Sequence, residues 1–213
     1  MLKKPLLVLE FFLLCVCLPT VIIVYKLAPF MFVFLWSAAI YCWAVLRFQH
    51  GDHLQQLWKW DAVTWENMKP LLIRWVFASI GMLAFIYFYD PERVFFLVKE
   101  RPHIIPFLLL MYPLLSALPQ EFIFCSFFFE RYKAFFKTQT VMIIASAVVF
   151  AYAHVLFINI VAPSLSLIAV VIFAMTYAKT KSLALVTIEH GLYGNVLFLV
   201  GLGWYFYGGA VAQ

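Results

Sequence analysis

The sequence predicts an all-α polytopic membrane protein with about seven to eight transmembrane helices, and three observations support this fold class. Hydrophobic residues make up 66% of the 213 residues and charged residues only 12%, whereas a soluble domain needs a polar surface. The apolar residues form runs of about 20, the length that crosses roughly 30 Å of hydrocarbon as a helix. The basic residues lie between these runs, so the net charge of +5 indicates membrane topology and not nucleic-acid binding.

Seven apolar runs follow one another, and no internal repeat or second domain is visible, so we expect one integral membrane domain over residues 1–213. The first run follows Lys3 and Lys4 and resembles a signal peptide. It lacks a small-residue cleavage site, however, and is long enough to span the membrane. The predicted spans are 5–25, 30–46, 71–89, 104–129, 139–156, 161–178 and 182–205.

The connections between the spans predict the orientation. With the N-terminus in the cytoplasm, the Lys and Arg residues are concentrated on the cytoplasmic side, which favours this topology. Residues 47–69 mix charged residues with tryptophans and are typical of an amphipathic segment in the headgroup region. His50, Asp52 and His53 lie there, and their spacing fits a solvated loop better than a metal site.

Two charged residues near the ends of spans are expected to reach polar surroundings. Glu10, close to the lysine end of the first span, is expected to meet water or a lysine. Arg74, near the start of the third span, is expected to extend its side chain to the interface.

Glu121 lies in the middle of the fourth apolar run, and an ionisable group at that depth costs roughly 2.5 to 3.5 kcal/mol on insertion scales. Such a residue indicates a functional site. His154 and His190 lie in two later apolar runs, and at 1.5 Å of rise per residue Glu121 and His190 both fall roughly 12 Å from the cytoplasmic ends of their helices. His154 lies a turn or two deeper, so we predict that the three form one cluster.

Three motifs contain these residues in order: Gln120-Glu121-x-x-x-Cys125, Phe150-x-x-x-His154 and His190-x-x-x-x-Asn195. Together they resemble the motifs of the CAAX-protease and bacteriocin-processing family of intramembrane endopeptidases, which are EExxxR, FxxxH and HxxxN. The resemblance covers about residues 104–205.

The resemblance implies a CAAX-protease-like core that needs no metal or other cofactor and acts on a membrane-bound peptide or protein, such as a lipidated protein or a sorting tail. It also implies the inner membrane of a bacterium as the location. In this family a glutamate and a histidine activate water, and a second histidine and an asparagine stabilise the oxyanion. The family's base is usually the first glutamate of its pair, which is Gln120 here; we assign the catalytic roles to Glu121, His154, His190 and Asn195.

The chain departs from the family pattern at three positions. Gln120 replaces the first glutamate, so we expect Glu121 to be the base, working with His154, and Gln120 to orient the water or the substrate carbonyl. Cys125 replaces the arginine. Asn195 follows His190 by five residues, a net rotation of about 140° on a regular helix, so we expect a π-bulge to return it to the His190 face.

Four alternatives stay open at this stage. Glu121, His154 and His190 are a possible zinc ligand set, and Cys125 is a possible nucleophile. The chain is alternatively a catalytically silent relative that acts in bacteriocin immunity or peptide binding, or a transporter that uses Glu121 and the histidines as a proton relay.

Overall fold

The computed structural model describes residues 4–208, except for the side chains of His50, Asp52 and His53. No strand occurs in this range, and seven of its helices are long and apolar enough to cross a membrane. The all-α fold class is confirmed, and the protein is an integral membrane protein. The spanning helices are α1 (Lys4–Val24), α2 (Ala28–Gln49), α3 (Trp65–Tyr89), α4 (Pro102–Arg131), α5 (Gln139–Phe157), α6 (Val161–Thr180) and α7 (Leu183–Val200).

The connection between α2 and α3 differs from the predicted amphipathic segment. It consists of 3₁₀ turns at Gly51–Leu57 and Trp60–Ala62, and α3 already begins at Trp65. The carbonyl of Trp58 accepts hydrogen bonds from the Ala184 amide at 3.2 Å and from the Ser182 hydroxyl at 3.1 Å. This backbone therefore stays irregular because its polar groups bind the start of α7.

Helix α7 lies at the centre of the bundle. Of the 18 residues in its most apolar stretch, 61% are buried, whereas the corresponding share in α3 is 11%. Helix α7 packs against α3, α4 and α6. It ends at Val200 because Gly201 adopts φ +111° and passes too close to the Arg93 carbonyl to allow a side chain. The predicted span over 182–205 is therefore too long at its C-terminal end.

Helix α4 is irregular on both sides of Glu121. π-helical turns occupy Pro113–Ala117 and Phe122–Phe127, with a short α-helical segment, Leu118–Glu121, between them. A proline has no backbone N–H, so the carbonyl four residues earlier loses its helical partner. Side chains of other helices bind both carbonyls that Pro113 and Pro119 release: Asn195 donates to Leu109 at 3.1 Å, and Trp36 donates to Leu115 at 3.1 Å.

Helix α1 is joined to the end of α4 by a buried ion pair. Arg131 donates to both carboxyl oxygens of Glu10, at 2.8 and 2.6 Å, and the Tyr132 hydroxyl adds a bond of 3.3 Å. The prediction that Glu10 reaches water or a lysine is therefore wrong. The carboxylate points into the bundle, where the bidentate arginine replaces its lost hydration.

The cytoplasmic position of the N-terminus remains a prediction. With single cysteines introduced at Lys137 and at Glu92, which lie on opposite sides of the bundle, we expect a membrane-impermeant maleimide to label residue 92 in intact cells. Residue 137 should react only after the membrane is opened, because it lies in the basic connection between α4 and α5. Labelling of residue 137 in intact cells would contradict the N-in orientation.

Candidate active site

A large cavity of about 1420 Å³ is lined by residues of all seven spanning helices, and Gln120, His154 and His190 of the predicted site are among them. Its walls are mainly apolar. The polar side chains that reach it near the middle of α4 and α7 include Tyr112, Ser116, Gln120, His154 and His190. A mostly apolar pocket with a few converging polar groups is the usual form of a ligand site.

Glu121 and His190 form a short polar contact beside this cavity. The Glu121 Oε1 atom lies 2.7 Å from His190 Nδ1, and both side chains are buried. The other ring nitrogen, Nε2, lies 3.0 Å from the Tyr112 hydroxyl, and Phe173 stacks on the ring at 4.7 Å. A neutral imidazole that donates from Nδ1 to Glu121 and accepts at Nε2 from Tyr112 satisfies both bonds.

The carboxyl group of Glu121 lies behind His190. His190 and Gln120 line the cavity, whereas Glu121 is not among the residues of the cavity wall. Adjacent residues on a helix point about 100° apart, so Gln120 takes the inward position and Glu121 turns towards α7. The Glu121 Oε2 atom has no hydrogen-bond partner within residues 4–208.

Gln120 also has an unused polar atom. Its amide nitrogen donates to the Ser116 hydroxyl at 2.8 Å, one turn earlier on α4. Its carbonyl oxygen, Oε1, is buried and lacks a partner in the described part of the chain. That acceptor is available to orient a water, as the sequence suggested for this residue.

His154 lies in the same cavity, but the predicted pairing of Glu121 with His154 is not formed. The His154 Nδ1 atom bonds the Phe150 carbonyl at 2.8 Å, and the ring stacks on Phe150 at 4.4 Å. Because a carbonyl only accepts, Nδ1 carries the hydrogen and Nε2 is the acceptor of the neutral ring. Phe150 also contacts His190, at 6.1 Å between centroids.

Asn195 does not join the site in the way the sequence predicted. Helix α7 is α-helical throughout Leu183–Val200, without the expected π-bulge at Gly191 and Gly194. Tyr112 packs against Gly194 and Pro113 against Gly191, so these glycines allow α4 to approach closely. The rotation of about 140° is therefore retained, and Asn195 points to the carbonyl that Pro113 releases.

Sequence reasoning missed two partners of the site. Tyr112 looked like an ordinary aromatic residue of an apolar run, and nothing in its spacing marks it. Glu189 was detectable as a second carboxylate in an apolar run, next to His190. It is fully buried and accepts from Arg74 at 2.8 Å, while the Arg74 side chain itself is 45% exposed. The extension of Arg74 to the interface stays a prediction.

No set of three His, Cys, Asp or Glu side chains within the described residues is arranged to hold a metal ion. Of the predicted zinc ligands, Glu121 and His190 touch each other, while His154 bonds the backbone. The side chains of His50, Asp52 and His53 lie outside the described residues. Cys125 is fully buried and lies one turn after Glu121.

Comparison with known proteins supports the resemblance drawn from the motifs. Residues 102–196 match the sequence profile of the Rce1-like family, the type II CAAX prenyl endopeptidases. Over this core the chain is similar to that family. The match begins at the start of α4 and includes the Glu121–His190 pair, His154 and Asn195. No curated protein and no solved structure shows significant similarity to the chain.

Replacing Asn195 tests how much its hydrogen bond to the Leu109 carbonyl stabilises the packing of α7 against α4. We expect Asn195→Leu to lower the free energy of unfolding by about 1 kcal/mol, because the Leu109 carbonyl loses its partner. Thermal unfolding in detergent measures this loss, and Trp36→Phe, which removes the other such donor, is the matched variant. An Asn195→Leu protein as stable as the parent but unable to cleave peptide would instead place Asn195 in the reaction.

Proposed function

We propose that this protein is an intramembrane endopeptidase that hydrolyses a peptide bond with a water activated by the Glu121–His190 pair. The observation that carries the proposal is the 2.7 Å contact between a buried carboxylate and an imidazole on the wall of a large apolar cavity. Amide hydrolysis needs a base within hydrogen-bond reach of water and donors directed at the oxyanion. Both kinds of group are present around this pair.

In this mechanism His190 takes the proton from water, and Glu121 acts through it. The carboxylate holds Nδ1–H in place and stabilises the imidazolium that forms when Nε2 accepts the proton. This arrangement differs from direct proton abstraction by Glu121, the expectation from sequence, because the carboxyl group faces α7 and not the cavity. The family prediction of a glutamate-dependent reaction is retained.

The remaining polar residues of the site bind the water or the substrate, or hold the helices in place. Water has to take the position that the Tyr112 hydroxyl occupies at Nε2, which frees this hydroxyl to donate to the oxyanion. Gln120 offers an unpartnered acceptor that orients the water. His154 lines the same cavity and is placed to hydrogen-bond the substrate, whereas Asn195 acts by holding α4 against α7.

The cavity favours a substrate with a large apolar part. The family that residues 102–196 match is described by its action on prenylated CAAX sequences, and a mostly apolar cavity of about 1420 Å³ accommodates a lipid chain or an apolar peptide. We propose a membrane-bound peptide or protein, lipidated or with a sorting tail, in the inner membrane of a bacterium. Glutamate-dependent hydrolysis without a metal cofactor remains part of this proposal.

A catalytically silent, peptide-binding relative is the second candidate, as in bacteriocin immunity. The observation that favours it is the amide of Gln120 in the inward position, where a carboxylate would contact water directly. In this case the cavity holds a peptide without hydrolysing it.

Glu121→Gln tests the activity. We expect it to lower the rate of cleavage of a lipidated or transmembrane peptide by about 100-fold or more, because the neutral amide no longer stabilises the imidazolium. Gln120→Ala should leave measurable cleavage, since Gln120 only orients the water. Rates are measured with purified protein in detergent, with and without EDTA, and thermal unfolding checks that both variants are folded.

The results separate the candidates. Cleavage that resists EDTA and depends on Glu121 supports the proposal, whereas cleavage lost with EDTA and restored by zinc points to a metalloprotease. Tight binding of a peptide that the parent protein never cleaves favours the silent relative. A Glu121→Gln variant that cleaves as fast as the parent would show that the activating group lies elsewhere.

A further inference from the structure

The segment that follows α7 folds back against the cavity, and the proposed mechanism does not use it. Residues 201–207, which we call the strap, begin where α7 ends and continue as a π-helical turn from Trp204. Three side chains of the strap, Trp204, Phe206 and Tyr207, line the cavity. The strap lies beyond residues 102–196, which match the Rce1-like family. It is therefore a part of the cavity wall that the family match does not include.

The strap is anchored to the two connections on either side of it. The Tyr205 hydroxyl donates to the Asp90 carboxyl group at 2.6 Å, directly after α3, and the Tyr205 carbonyl accepts from the Asn159 side chain at 2.7 Å, between α5 and α6. The Arg93 guanidinium lies 3.7 Å from the centroid of the Trp204 ring, a distance at which the face of an indole attracts a cation. These contacts hold the strap across the ends of α3, α5 and α7.

Phe206, next to the anchored tyrosine, contacts the histidine that the mechanism assigns to substrate binding. The centroid of its ring lies 5.9 Å from that of His154 and 5.7 Å from that of Phe157. The rings of His154 and Phe157 are 5.8 Å apart, so the three rings form one cluster, and all three line the cavity. A substrate that is hydrogen-bonded to His154 therefore also meets the Phe206 ring.

The cavity follows α7 from the Glu121–His190 pair to the strap. The residues of α7 that line it recur at helical spacing on one face, and the row continues into the strap: His190, Tyr193, Gly194, Leu197, Phe198 and Gly201. At 1.5 Å of rise per residue, this row is about 15 Å long from His190 to the end of α7. Apart from Tyr193, the residues that follow His190 in the row have no polar side chain. The row thus forms an apolar path that leads from the reactive pair to the strap.

We propose that Phe206 is a specificity-determining residue, which limits how far a lipid chain on the substrate extends along this path past His154. This inference rests on the proposed function. A long apolar path suits a hydrocarbon chain, which needs no hydrogen-bond partners along its length. Because the strap is anchored and overpacking a well-packed apolar site is unfavourable, a chain longer than the path is disfavoured at the Phe206 ring.

The experiment compares peptides of one sequence that carry a geranyl, farnesyl or geranylgeranyl thioether. We expect Phe206→Ala to raise the ratio of kcat/KM for the longest chain to that for the shortest by about 10-fold or more, because differences of a methylene or more in an apolar pocket have effects of this size. Phe206→Trp should lower the same ratio, since the larger ring shortens the path. A merely structural role of Phe206 would lower the rates for all three peptides alike.

A matched control removes a phenylalanine ring elsewhere in the bundle. Phe77 on α3 is exposed and is not one of the residues that line the cavity, so Phe77→Ala should keep the parent ratio. Thermal unfolding checks that each variant is folded, and Phe206→Trp, which keeps an aromatic ring at this position, decides the question if Phe206→Ala does not fold. The inference is overturned if the folded Phe206 variants keep the parent ratio, or if Phe77→Ala changes it as much as they do.

A binding measurement separates this inference from the proposed function. Dissociation constants of the same peptides, fluorescently labelled, are measured by anisotropy in detergent. If the parent protein binds these peptides without cleaving them, opposite changes of chain-length preference in the two Phe206 variants support the role of Phe206 and reject the hydrolase. An unchanged preference rejects the role of Phe206, whether or not the parent protein cleaves. If the parent protein neither binds nor cleaves them, the lipid-chain path is rejected, and cleavage of an unlipidated transmembrane peptide would still support the proposed function.

Discussion

The hydrogen bond between Glu121 and His190 is the interaction on which the site depends. It joins α4 to α7 between two buried side chains, and the Glu121 carboxyl group lies away from the cavity wall. In such surroundings an ionisable group is tolerated only with a partner, so the carboxylate fixes the imidazole and the imidazole fixes the carboxylate. The contact therefore orients the ring that faces the cavity and also holds the two helices together.

The irregular course of α4 makes this contact possible. The prolines of α4 release backbone carbonyls, and residues of α2 and α7 donate to those at Leu109 and Leu115. The π-helical turns on both sides of Leu118–Glu121 belong to the same distorted region, and such turns are frequent at functional sites. The distortion thus comes from residues within α4, whereas its stabilisation comes from neighbouring helices.

Much of this architecture could be predicted from the sequence because membrane spans are fixed by length and hydropathy, and the seven spans agree with the helices to within a few residues at most ends. Glu121, His154 and His190 were detectable as polar residues in apolar runs, and all three lie at or directly behind the cavity wall. Their pairing was not predictable. Whether Glu121 meets His154 or His190 depends on how α4 is rotated against α7, which depends on close packing at Gly191 and Gly194.

Asn195 and the two carboxylate–arginine pairs, Glu10–Arg131 and Glu189–Arg74, show a second limit to prediction from the sequence. A carbonyl released by a proline can accept from any donor on a facing helix. Asn195 points away from the His190 face and donates to such a carbonyl, that of Leu109. No motif predicts this role. Likewise Glu10 was expected to reach polar surroundings near the membrane surface, and it pairs instead with Arg131 on α4. Arg74 pairs with Glu189 on α7, a helix distant in sequence. Such long-range pairs are set by the packing of the bundle and not by local pattern.

The most direct measurement of the central claim is a double-mutant cycle of Glu121→Gln and His190→Gln on the rate of peptide cleavage. If Glu121 acts through His190, the double variant should cleave no more slowly than His190→Gln alone, because Glu121 contributes nothing once the ring that it supports is removed. Losses that multiply in the double variant would contradict this account, since they would show that the two side chains contribute independently.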